Sequence, residues 1–105
     1  MEQPNLSYIK KLSKGDLSFE KDILGIIKEE LQGEIDNYYK CFKDNDLKKT
    51  KVFVHRIKHK MSILGLEKSY EIMNTFENSF NNSNLERQEY FESMLPIMIK
   101  YLKTV

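Results

Sequence analysis

Tryptophan is absent from the chain, and 105 residues include only four glycines, two prolines and one cysteine. So few turn formers leave little material for the tight connections of a β-sandwich or barrel. A lone Cys41 cannot make an internal disulfide, which fits a reducing compartment. No apolar run approaches the roughly 20 residues that span a bilayer, and the opening Met-Glu-Gln-Pro-Asn carries no apolar signal core. An excess of one charge is missing too, because 17 lysines and arginines nearly cancel 16 acids to leave +1. No global field therefore draws the protein to nucleic acid or membrane, and any electrostatic specificity is local. These absences predict a soluble, cytoplasmic protein, and the length predicts one domain over residues 1–105.

What is present reads as helix. Leu6, Ile9 and Leu12 keep helical spacing in a short segment that stops at Gly15. Asp16 or Ser18 can then cap a long helix whose apolar positions are Phe19, Ile23, Ile27, Leu31, Ile35, Tyr38 and Phe42. Gly25 and Gly33 sit inside it, each at a cost of about 1 kcal/mol relative to Ala. They are either tolerated or kept so that something can approach closely. Asp46 is placed to cap a returning helix that Gly65 breaks or bends. Leu66, Tyr70, Met73, Phe76 and Phe80 carry the next helix, closed by the loop Asn81-Asn82-Ser83-Asn84. Phe91, Met94, Leu95, Met98, Tyr101 and Leu102 carry the last, which Pro96 should kink or divide. The expected fold is all-α: an antiparallel up-down-up-down four-helix bundle with a short N-terminal capping helix.

The third of these helices holds the strongest functional signal. From residue 47 to residue 66 there is no Asp or Glu at all. At 3.6 residues per turn, Leu47, Thr50, Val54, Ile57, Met61 and Leu64 form an apolar stripe. Lys48, Lys51, His55, His59 and Ser62 fall on the opposite side, with Lys58 at the boundary. His55 is thus an exposed imidazole among cations. A nucleophilic imidazole needs exposure and a means of holding the anion it acquires. Lys58 at i+3, with Lys51 and Lys48 on preceding turns, supplies charge-assisted partners for a phosphoryl group on that ring.

The run His55-Arg56-Ile57-Lys58-His59-Lys60-Met61-Ser62-Ile63-Leu64-Gly65 resembles the signature of histidine-containing phosphotransfer domains. That signature is a His, a Lys three residues on, then Gly and small residues, closing on Leu-Gly. His55, Lys58, Leu64 and Gly65 match in place. The segment from Leu6 to Asp16 is similar to the family's opening, and Asp46-Leu47 to its usual approach to the His helix. The resemblance implies that His55 is a phosphoacceptor and that Lys58 steadies its phosphate. It implies a carrier rather than a turnover enzyme, with receiver domains of response regulators as partners and a hybrid sensor histidine kinase upstream. It implies no cofactor on this chain, the Mg²⁺ being supplied by the receiver. The chain departs from the pattern at His59, where the family has Gly, and at Lys60 and Met61, where it has small residues.

Geometry suggests a partner surface. His55 lies nine residues past Asp46, about 13 Å from the turn at 1.5 Å per residue. The same height on the antiparallel neighbour falls near Gly33, Glu34 and Asn37. Gly33 and Asn37 would flank the acceptor face. Val52 would supply its apolar centre, ringed by Lys48, Lys51, His59 and Ser62. Three other readings of this helix are weaker. A metal on His55 and His59 at i, i+4 meets no acid or Cys nearby and is opposed by Lys58 and Lys60. Nucleic-acid binding lacks an aromatic platform on the exposed face. A helical interaction module that carries no phosphate is the main alternative.

Overall fold

The computed structural model describes residues 2–78 and 85–105, excluding the side chains of 76–78 and 85. All regular structure among these residues is helical: α1 (Ser7–Ser13), α2 (Leu17–Lys43), α3 (Leu47–Ile63), α4 (Glu67–Asn78) and α5 (Leu85–Leu102). Phe80 and the loop Asn81-Asn82-Ser83-Asn84 lie outside the described residues, as does the side chain of Phe76.

The joints follow from local chemistry. Lys14 and Gly15 both take left-handed backbone (φ 51° and 87°), which ends α1. The Asp16 carboxylate then accepts from the backbone N–H of Phe19 at 3.1 Å and starts α2. At the far end Asn45 is left-handed (φ 58°), and Asp46 caps α3 by accepting from the N–H of Lys49 at 3.1 Å. Gly65, at φ 79°, closes α3. A Cβ there would also meet the side chain of Asn5 at 2.5 Å, so two constraints demand glycine. Asn5 in turn donates its backbone N–H to the carbonyl of Leu64 at 2.8 Å, strapping the N-terminal segment over the α3–α4 joint.

Its 27 residues make α2 about 40 Å long, nearly the whole 43 Å long axis of the molecule. It packs on α1, α3 and α5, while α4 packs on α3 and α5. Backbone contact between Cys41 and Asp46, and side-chain contact between Glu34 and Lys60, show that α2 and α3 run antiparallel. The core lies between these helices, from Ile27, Leu31 and Tyr38 of α2 to Val54, Ile57 and Met61 of α3 and Phe91, Met94 and Met98 of α5. The Tyr38 ring meets Phe91 edge-on at 5.0 Å, and its hydroxyl donates to Glu92 at 2.9 Å. Burial first, and then the Glu92 carboxylate, push that phenol well above its usual range.

Four expectations need correction. Leu47 is 40 % exposed, because the apolar stripe of α3 begins one turn later, at Thr50. Leu12 and Phe19 are exposed rather than buried. Of the two outcomes expected of Pro96, division is excluded: α5 runs unbroken through it on the exposed side, where water can serve the carbonyl its missing N–H leaves unpaired. Lys58 is buried rather than at the boundary of the polar face.

Candidate functional site

Thr50, Val54, Ile57, Met61 and Leu64 are fully buried, which fixes the rotation of α3 and turns His55 and His59 outward. The two rings stand edge to face, centroids 4.4 Å apart and planes at 78°, and their Nε2 atoms approach to 3.0 Å. Tyr70 of α4 closes the other side of His59, ring to ring at 6.3 Å.

Around His55 the chain forms an open depression of about 260 Å³, lined by Lys51, Val52, His55 and Arg56. Arg56 lies with its guanidinium over the Phe53 ring, 5.7 Å from the centroid. Val52, 45 % exposed, is shared with a second depression that includes Asn37, Lys40, Lys49 and Phe53. The expected partner surface is therefore brought together in part. Val52 bridges the His55 face to Asn37, and the Asn37 amide donates to the carbonyl of Gly33 at 2.8 Å. A Cβ at Gly33 would meet nothing within 4 Å. Gly33 is open surface, not a close-packing glycine. Lys48 is exposed one turn before Lys51, and Ser62 is half-buried at the far end of α3.

Lys58 is not at the boundary. It is 6 % exposed, its ammonium donates to Oδ1 of Asn74 at 2.8 Å, and it lies 5.4 Å from the centroid of the Tyr70 ring. The physical reason is position: Lys58 follows Val54 by four residues, so its aliphatic stem flanks the buried stripe. Lys60 flanks the other side. Its ammonium sits 2.8 Å from Oε1 and 3.0 Å from Oε2 of Glu34, donating its hydrogen bond to Oε2, and 3.2 Å from Oε1 of Glu30.

Arg56, Asn74 and the Lys60–Glu34 pair play no part in the sequence argument. Arg56 carried a signal, since it stands one residue from His55 in an acid-free run. Asn74 carried none, and the antiparallel register that brought Glu34 level with α3 gave no sign that Lys60 would reach it.

Among the described residues no group of three or more His, Cys, Asp or Glu side chains converges, and no helix is long and apolar enough to cross a membrane. Compared with family models, with curated proteins and with solved structures, the chain matches none at a significant level.

Proposed function

We propose that the chain is a histidine phosphotransfer module, an up-down-up-down bundle of α2 to α5 capped by α1. Nε2 of His55 attacks the phosphorus of a receiver's phosphoaspartate. The acyl P–O bond breaks as the P–N bond forms, and the aspartate leaves as carboxylate. A second receiver reverses the step. The receiver supplies Mg²⁺, a hybrid sensor histidine kinase feeds the first receiver, and the relay runs in the cytoplasm. The carrying observation is His55 itself: an exposed imidazole on a core helix whose acid-free face places Lys51 and Arg56 beside the ring. The positive face would also speed encounter with an acidic receiver surface, an effect that salt weakens.

The engagement of Lys58 by Asn74 favours a second reading, a helical interaction module of the same shape that takes no phosphate. One experiment separates the two. Incubated with Mg²⁺ and a receiver carrying labelled phosphoaspartate, the chain should acquire acid-labile, base-stable label. His55→Gln should abolish it with helicity unchanged, as expected for a side chain that contributes little packing. Absence of label on the wild-type chain, or its retention by His55→Gln, refutes the phosphotransfer reading. Loss of label in His59→Gln alone would move the acceptor by one turn.

A further inference from the structure

The two imidazoles on α3 are arranged for an ion as well as for a phosphoryl group. Imidazole nitrogens ligate late first-row divalent metals at about 2.0–2.1 Å. An ion that far from both Nε2 atoms, themselves 3.0 Å apart, subtends an angle near 90°. That is the cis angle of tetragonal Cu²⁺ or Ni²⁺. It would hold the ring centroids about 4.6 Å apart, against the 4.4 Å observed. Without an ion one imidazole N–H donates to the other Nε2 across the same 3.0 Å, a bent hydrogen bond whose proton the ion would replace.

Charge is the natural objection, since Lys58 and Lys60 flank the pair in sequence. For Lys60 the structure answers it, since that ammonium lies between Glu34 and Glu30 on the side facing α2. The Lys58 ammonium donates to Asn74 and lies over Tyr70, the ring that also flanks His59, so its charge lowers the affinity. Lys51 and Arg56 remain beside His55 and lower the affinity without blocking the approach.

We propose that His55 and His59 form a two-nitrogen chelate for a late first-row divalent ion, Cu²⁺ binding most tightly, with water in the remaining positions. An ion on Nε2 of His55 and a phosphoryl group on the same atom exclude each other. His59, at the position where glycine was expected, would then make the acceptor sensitive to metal. The existence of the site does not depend on the phosphotransfer reading.

The test is titration of the intact chain with Cu²⁺ in a non-coordinating buffer at neutral pH, followed by calorimetry and electron paramagnetic resonance. One strong equivalent, with superhyperfine structure from two nitrogens, is expected. His55→Gln and His59→Gln should each raise the apparent Kd at least tenfold, and circular dichroism should show both variants folded. Variants that keep the wild-type Kd would overturn the proposal, as would a one-nitrogen spectrum. A chain that binds Cu²⁺ in this way but accepts no phosphoryl group would refute the phosphotransfer reading and leave the metal site standing.

Discussion

On the side of α3 that faces α2, Lys60 is buried against two carboxylates; on the side that faces α4, Lys58 is buried against an amide and a phenol ring. Both lysines belong to one basic run and flank the same apolar stripe, yet they are compensated by different means. Burying an ammonium costs several kcal/mol unless something replaces its water. A carboxylate does so with a full charge, so each partner of the Lys60–Glu34 pair depends on the other. The Asn74 amide oxygen and the Tyr70 ring face offer the Lys58 ammonium partial charges, so losing either contact costs less than losing a carboxylate. The Lys60–Glu34 contact is charge to charge, whereas the Lys58–Asn74 contact is charge to dipole.

The largest expected effect is on the α2 side. Glu34→Gln leaves Lys60 with Glu30, whose side chain is 55 % exposed, and should lower stability by about 3 kcal/mol. Replacing both members, Lys60→Met with Glu34→Met, should bring stability back to within about 1 kcal/mol of wild type. Urea unfolding of wild type, Glu34→Met, Lys60→Met and the double variant measures the coupling. A double variant as unstable as the sum of the singles would mean that the two residues act independently, and the contrast with Lys58 would fall.

On the α4 side Asn74→Ala should cost only about 1 kcal/mol, since it removes a neutral acceptor and not a counter-charge. Its value lies in the second readout. If Lys58 steadies a phosphohistidine, it must first leave Asn74. Asn74→Ala should then lengthen the lifetime of the label on His55, and Lys58→Ala should shorten it. Unchanged lifetimes in both would make Lys58 a purely structural residue of the α3–α4 contact.

A smaller effect tests the strap across the same side. The Glu2 carboxylate accepts from the backbone N–H groups of Lys68 and Ser69 at 3.0 and 2.9 Å and from the Ser69 hydroxyl at 2.9 Å, a capping role at the start of α4. Partial burial raises its pKa, but those hydrogen bonds outweigh it and hold the group below its ordinary value of 4.5. A depressed carboxylate stabilises the fold above its unfolded pKa and loses that contribution as pH falls through the folded value. Glu2→Gln should therefore cost about 1 kcal/mol or less at pH 7. The difference from wild type should shrink below about pH 4.5. A gap that stays constant down to pH 3 would remove the charge from this cap.

These contrasts mark where the sequence could be read and where it could not. Val54, Ile57 and Met61 are legible because a period of 3.6 is a local property, and the outward face of His55 follows from them. Leu47 misleads because the same period continues past the point where anything packs on it. Lys58 and Lys60 are illegible for another reason. A helical wheel gives the direction of a side chain and not the length of its stem, and the partners Asn74 and Glu34 lie 16 and 26 residues away. Glu2 capping a helix 67 residues on, at Ser69, leaves no local trace at all.

The smallest effect concerns a glycine beside the closed flank. Gly33 precedes Glu34, its carbonyl is held by Asn37, and a Cβ on it would meet nothing within 4 Å. Gly25, two turns earlier in α2, is equally open. On helix propensity alone, Gly25→Ala and Gly33→Ala should each stabilise the chain by about 0.5–1 kcal/mol, since no neighbour must move. The two differ in position. Gly33 lies on the same flank as Asn37 and Val52, beside the depression that leads to His55, whereas Gly25 lies well below it. If Gly33 is kept open for a docking receiver, Gly33→Ala should weaken receiver binding severalfold while it raises the midpoint of unfolding, and Gly25→Ala should raise the midpoint alone. Titration of a receiver into each variant, followed by backbone chemical shifts, reads both effects. Equal binding by the two variants, or shift changes confined to α5, would show that the docking face lies elsewhere and that the α2 side of α3 serves the fold only.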